Sequence, residues 1–248
     1  MVTDIESLNE QLSIEMQGYS AEGLIKRSLK QYGDKIALAT SFGAEDQVLI
    51  DMLCKTSKRP VVFTLDTGRL PEETYEVMEA TRKKYSIEIE ILFPEHKEVE
   101  EMVNKYGPNL FYGSIEDRKL CCRIRKIEPL KRKLSGLQAW ICGLRAEQSV
   151  TRTELKKIDW DNTFGLIKVC PLTDWSTERV WDYIRENKVP YNKLHDKGFP
   201  SIDCEPCTRA VKPGDDIRAG RWWWEEPEHK ECGLHLDNRN DEIKENQK

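Results

Sequence analysis

The chain has 248 residues, 38% of them hydrophobic and 33% charged, and 39 Lys and Arg against 44 Asp and Glu give a formal net charge of -5. That apolar share is too high for a disordered chain, and no apolar run approaches the ~18 residues that a membrane-spanning helix needs. The acidic balance also argues against a protein that grips nucleic acid by neutralising phosphates over a broad surface, while leaving room for a small anion in a local basic pocket.

The opening residues, MVTDIESLNEQLSIEMQGY, show neither a basic n-region nor an apolar h-region, which predicts a cytoplasmic protein without a secretory signal. Over 21–32 (AEGLIKRSLKQY), Leu24, Ile25 and Leu29 recur at helical spacing, and Gly33 is a natural stop. Apolar runs follow at 35–40 (KIALAT), 61–65 (VVFTL) and 87–93 (IEIEILF), separated by helix-like stretches at 46–54 and 72–84. A basic helical segment at 118–134 leads to AWICGL (139–144) and LIKVCPL (166–172), and a further helix is expected over 177–187. The remainder is loop-rich, with Pro190, Pro200, Pro206, Pro213 and Pro227. Strands alternating with helices predict an α/β fold with a mainly parallel sheet of about five strands flanked by helices. Residues 1–248 read as a single domain, with a core over about 20–220, an irregular C-terminal part, and a mobile tail from about 221; no internal repeat or long linker is seen.

Ligands of such sheets gather at the carboxyl ends of the strands, and two turns fall there. Ser41-Phe42-Gly43-Ala44-Glu45-Asp46-Gln47 enters a helix after the first strand, where free N–H groups and the helix dipole favour an anion. It is not a Walker A loop, because no lysine follows Gly43 at the required place. Leu65-Asp66-Thr67-Gly68-Arg69 closes the second strand in the same manner.

Without a signal peptide, the eight cysteines are expected to be reduced thiols serving a metal or catalysis. Cys54, Cys142 and Cys170 lie in or beside apolar segments and read as small buried hydrophobes. Cys121 and Cys122 are neighbours whose Cα atoms stand ~3.8 Å apart, below the usual disulfide range of about 4.4 to 6.8 Å, so a bridge between them would be strained. With Cys204 and Cys207 of a C-x-x-C they offer four sulfurs, suited equally to a structural zinc or an iron–sulfur cluster. Basic residues flank the set: Arg118, Lys119, Arg123, Arg125 and Lys126 around the pair, Arg145 and Arg152 after AWICGL, and Arg218 and Arg221 after the C-x-x-C. They form either a solvated face or a clamp for phosphate oxygens. Trp222, Trp223 and Trp224 either dock the tail or remain surface aromatics. Beyond them Cys232 stands alone, with His235 three residues on. A thiol on a tail can enter a site, react, and swing out to meet another protein.

Together S-F-G-A-E-D, L-D-T-G, C-C-x-x-R-K-x-x-P-L, C-x-x-C-T-R and E-C-G-L-H resemble the assimilatory adenylyl-sulfate (APS) reductases, which share a superfamily with the phosphoadenylyl-sulfate (PAPS) reductases. The resemblance covers roughly 20–236 and implies an adenine nucleotide α-hydrolase-like fold. It implies that Cys121, Cys122, Cys204 and Cys207 hold one [4Fe–4S] cluster, that Cys232 is the nucleophile with His235 beside it, and that Lys126 stands between cluster and substrate. It places Arg218 and Arg221 against the phosphosulfate, Ser41, Gly43, Leu65 and Thr67 along the nucleotide, and Arg145 and Arg152 as further substrate candidates. The implied activity is an oxidoreductase of sulfate assimilation and cysteine biosynthesis. It reduces APS to sulfite and AMP through an S-sulfocysteine, with thioredoxin as electron-donating partner. No nucleic-acid or membrane partner is expected, and a homo-oligomer is compatible with this reading. Three alternatives compete: the same chemistry on PAPS or on both nucleotides, a zinc-bearing binding module in which Cys232 is incidental, and a sulfur transferase acting on tRNA. The last is disfavoured by the acidic charge and by the departure of the first loop from the S-G-G-x-D-S pattern of ATP pyrophosphatases.

Overall fold

A computed structural model describes residues 15, 16, 18–148 and 155–226 of the chain. Helix α1 (Ala21–Tyr32) starts where Ser20 accepts the N–H of Gly23, and it ends at Gly33, whose φ of 56° is the left-handed region that glycine enters without strain. Its apolar stripe buries Leu24 and Ile25 completely, each contributing about 1.5–3 kcal/mol, which fixes the helix to the sheet below.

That sheet has six strands: β1 (Ile36–Thr40), β2 (Val62–Leu65), β3 (Glu90–Leu92), β4 (Ala139–Ile141), β5 (Ile158–Asp161) and β6 (Leu166–Val169). Their spatial order is β3-β2-β1-β4-β6-β5, and Leu38 of β1 is in register with Val62 on one side and Ile141 on the other. All pairs are parallel except β5 on β6. The central strands are nearly continuous apolar runs because both of their faces are covered. One face packs on α1, on α2 (Ala44–Thr56) through Val48, Leu49 and Met52, and on the helix Thr177–Glu186 through Val180 and Ile184. The other face buries Phe63, Trp140, Cys142 and Cys170 against Leu130 and Leu134. Cys54 is half-buried, so the three lone thiols sit in or against the core as their apolar neighbours suggest.

All five expected strands are present and mutually parallel, but the expectation of about five strands falls one short. The sixth is β5, IDWD, an antiparallel edge strand whose Asp159 is half-buried and whose buried Asp161 is paired with Lys168 at 2.9 Å. Helix α3 (Glu72–Tyr85) is where the sequence places it. The next helix, α4 (His96–Tyr106), is not anticipated, although Val99, Met102, Val103 and Tyr106 recur at helical spacing; Met102 is buried and Val99 and Val103 pack half-buried beside it. The basic stretch expected as one helix over 118–134 is two: α5 (Ile115–Cys122) and α6 (Glu128–Leu134), joined by a widened π turn over Arg123–Ile127. Such turns insert an extra residue into a helix and are frequent at functional sites. The helix at 177–187 is α7 (Thr177–Glu186), capped by Ser176. No helix among the described residues is long and apolar enough to cross a membrane.

Candidate functional site

The strand order reverses direction between β1 and β4: β2 and β3 lie to one side of this boundary, β4 and β6 to the other. A crevice at the carboxyl ends of the strands opens at such a switch point. Here it is a cavity of about 700 Å³, and the sequence-expected residues Ser41, Gly43, Leu65, Thr67, Arg145, Arg218 and Arg221 all line it, together with Lys126. Arg152, Cys232 and His235 lie outside the described residues.

The floor is the loop between β1 and α2. The Ser41 N–H and hydroxyl donate to Asp46 Oδ2 at 2.6 and 2.9 Å, and the Phe42 N–H donates to Thr40 Oγ1 at 2.9 Å. Phe42 adopts φ 61°, a strained conformation for a side-chain-bearing residue, held because its ring is fully buried. Burial is the largest influence on Asp46, and with the neighbouring Glu45 charge it outweighs the Ser41 and Thr40 hydrogen bonds, raising the carboxyl to about 6. The loop after β4 crosses directly over this group. A Cβ on Gly143 would stand 2.3 Å from Asp46 Oδ1, so only glycine permits the approach. Arg145 then ties three segments together, donating from Nε to Glu45 (2.9 Å), from Nη1 to Glu147 (2.7 Å) and the Trp175 carbonyl (3.0 Å), and from Nη2 to Thr177 (3.0 Å). Most of its donors are thus spent inside the protein.

Lys126 also forms part of a second, smaller cavity, and all four cysteines of the split set, Cys121, Cys122, Cys204 and Cys207, line it with Arg125. The end of α5 delivers the adjacent pair, the π turn delivers Arg125 and Lys126, and a 3-10 turn over Glu205–Cys207 delivers the C-x-x-C. Long-range bonds hold the pieces in place. The Glu205 N–H donates to the Arg69 carbonyl at 2.8 Å, Arg125 Nη1 donates to the Thr67 carbonyl at 2.7 Å, and Thr67 Oγ1 lies 3.1 Å from Cys204 Sγ.

The three tryptophans divide. Trp222 is fully buried and its backbone N–H donates to the Cys207 carbonyl at 3.1 Å, whereas Trp223 is 42% exposed. Arg118 stacks over the Trp222 ring at 4.6 Å and makes a buried ion pair with Glu225 at 2.8 Å. Two buried donors around the thiols, Arg125 Nε and Trp222 Nε1, have no acceptor among the described residues. Burial pushes the Cys121, Cys204 and Cys207 thiols up, Cys207 to about 12, while Lys126 opposes the shift at each and Arg125 at Cys121. The four thiols share a cavity without closing on one ion position: among the described residues no group of three or more His, Cys, Asp or Glu is placed to hold a single metal ion.

Sequence reading missed two acidic residues and a histidine of the crevice. Asp46 is described above. Asp203 Oδ2 accepts from both Lys126 Nζ and Arg221 Nη2. Burial alone would push this carboxyl up, but the two cations outweigh it and hold it well below the usual carboxylate range. Its place immediately before the C-x-x-C is the sole hint that the sequence offers. His195 lines the crevice with its ring 5.1 Å from that of Trp181, and burial lowers its pKa, favouring the neutral form.

The model of the phosphoadenosine phosphosulfate reductase domain matches residues 35–210. A protein of Allochromatium vinosum named adenosine 5'-phosphosulfate reductase is 54% identical over 203 residues, covering 82% of this chain and 79% of its own length. One of the same name from Burkholderia cepacia is 48% identical, covering 82% and 81%. Among solved structures, the phosphate complex of PAPS reductase from Candida auris superposes with a TM-score of 0.70 at 27% identity, covering 82% of this chain and 96% of that one. FMN adenylyltransferase of Candida glabrata, with FAD and pyrophosphate, gives 0.54 at 14% identity over 98% of this chain and 91% of that one, a likeness of fold alone.

Proposed function

Because the chain belongs to the phosphoadenosine phosphosulfate reductase family, we propose that it reduces adenosine 5'-phosphosulfate to sulfite and AMP with electrons from thioredoxin. The observation that carries this reading is a shared wall: Lys126 borders both the crevice and the cavity of four thiols. The nucleotide lies along Ser41, Gly43, Leu65 and Thr67 at the switch point, and its phosphosulfate points to Lys126, Arg218 and Arg221. Arg145 braces the loop through Glu45, and Arg152 is a further substrate contact.

The Cys232 thiolate attacks the substrate sulfur, forming an S–S bond as the S–O bond to phosphate breaks and AMP departs with the electron pair. Lys126 and the two arginines offset the charge that develops on the leaving phosphate. His235 stands beside the thiol. A thioredoxin thiolate then attacks the Cys232 sulfur, sulfite leaves, and the second thioredoxin thiol resolves the mixed disulfide. Such a reaction belongs in the cytoplasm, where thiols stay reduced, and 1–248 works as one domain with a catalytic tail.

The thiol cavity fits a [4Fe–4S] cluster on Cys121, Cys122, Cys204 and Cys207. Buried thiols with raised pKa values and two orphaned donors, Arg125 Nε and Trp222 Nε1, form a costly arrangement that sulfur acceptors would relieve. When bound, the cluster supplies a thiolate-held centre of negative charge whose field Arg125 and Lys126 offset.

APS is preferred to PAPS in this reading because the relatives at 54% and 48% identity are named adenosine 5'-phosphosulfate reductase. In the decisive test, protein is incubated with APS without reductant and digested. Mass spectrometry is expected to find one SO₃ adduct on the peptide containing Cys232 and none in Cys232→Ser. An unmodified peptide after turnover of the nucleotide overturns the assignment.

A further inference from the structure

Asp203 lines the crevice one residue before Cys204, and a single oxygen of its carboxylate takes both Lys126 and Arg221. The three groups are sheltered, with side-chain exposures of 5% for Lys126, 8% for Arg221 and 17% for Asp203. Arg221 Nη1 also donates to the uncharged hydroxyl of Ser201 at 3.2 Å, and its guanidinium lies 4.7 Å from the centre of the Trp222 ring. A carboxylate held between two cations offsets part of the positive charge that an incoming anion meets. The same contact fixes two long side chains that otherwise lose considerable rotamer freedom when they are ordered. Asp203 therefore acts in two opposed directions, subtracting attraction for an anion and aiming the groups that supply it.

We propose that Asp203 is a positioning residue that holds Lys126 and Arg221 aimed into the crevice at the expense of anion affinity. This rests on the reading that a nucleotide phosphosulfate binds there. Removing a sheltered negative charge within several Å of a bound anion strengthens binding roughly tenfold or more. Losing the alignment of cations with the reacting phosphate lowers turnover by roughly ten- to a hundredfold. A residue that merely supported the fold would move both quantities in the unfavourable direction.

The experiment compares wild type, D203N, D203G, D203E and S201A as iron-loaded protein, measuring AMP binding by equilibrium titration, steady-state kcat and KM with APS, and the visible spectrum. D203N and D203G are expected to bind AMP about tenfold more tightly, with KM and kcat both reduced. D203E, which keeps the charge, and S201A, which removes only the neutral partner, should keep wild-type affinity. Unchanged or weaker AMP binding in D203N and D203G, unchanged kcat, or equal tightening in D203E each overturns the proposal. So does loss of the visible spectrum in both D203N and D203G, since Asp203 would then serve the thiol cavity instead. Failure of wild type to bind AMP at all refutes the crevice reading, a result distinct from the others.

Discussion

The two cavities that meet at Lys126 are built by different means. The crevice has a floor made from the ends of regular elements, the carboxyl ends of β1, β2 and β4 and the first turn of α2, and its other side is closed by loops between His195 and Arg221. The thiol cavity takes two of its thiols from the last turn of α5 and the rest of its wall largely from irregular pieces, the π turn at 123–127 and the 3-10 turn at 205–207. Sheet topology thus supplies a generic ligand site, and the distinctive chemistry hangs from loops. Ordering those loops costs chain entropy, which burial of Trp222, Phe111 and Met102 among the thiols helps to offset.

The largest effect that would sharpen this contrast is expected from Cys204→Ser. It should strip iron and visible absorption and take sulfite release to background, while AMP still binds; loss of AMP binding as well would merge the two cavities into one unit. Lys126→Ala removes the shared wall and is expected to lower kcat/KM by roughly 10²–10³, with AMP affinity falling far less. Steady-state kinetics beside AMP titration check the split. Gly143→Ala addresses the crevice alone. Its Cβ would collide with Asp46 at 2.3 Å, so denaturant unfolding should show a loss of about 1–3 kcal/mol while iron content is retained.

The smallest effect is a pH slope. Asp46 titrates near 6 in the fold but at an ordinary carboxylate value when unfolded, so between those values the native state binds more protons. Stability should therefore fall as pH rises from about 4 to about 6 and level off above. Asp46→Asn removes this component. Wild type should lose on the order of 2 kcal/mol relative to the variant between pH 4 and 7, read from urea midpoints. Parallel curves would break the idea that the crevice floor carries stored electrostatic cost.

The contrast also explains what could be read in advance. The apolar runs at 36–40, 62–65, 139–141 and 166–169 announce buried parallel strands, and from their order the crevice follows. Strand β5 escaped because Asp159 and Asp161 interrupt its apolar pattern, and α4 because its Val99, Met102 and Val103 are set among charged residues and Met102 alone is fully covered. The four cysteines stood out by type and spacing, but no local pattern reveals that Asp203 bridges Lys126 and Arg221. That contact spans 77 residues and depends on where the C-terminal loops settle. Nor does periodicity foretell the π turn, since Arg123–Ile127 would continue an ordinary helix equally well.

A side chain common to two compartments makes them answerable to each other. If filling one compartment alters the field at the Lys126 ammonium, the binding constant of the other must change, and thermodynamic reciprocity requires the same factor in the opposite direction. Nucleotide should consequently alter how readily the sulfur ligands surrender their metal to a chelator, and metal-stripped protein should hold AMP with an affinity displaced by an equal ratio.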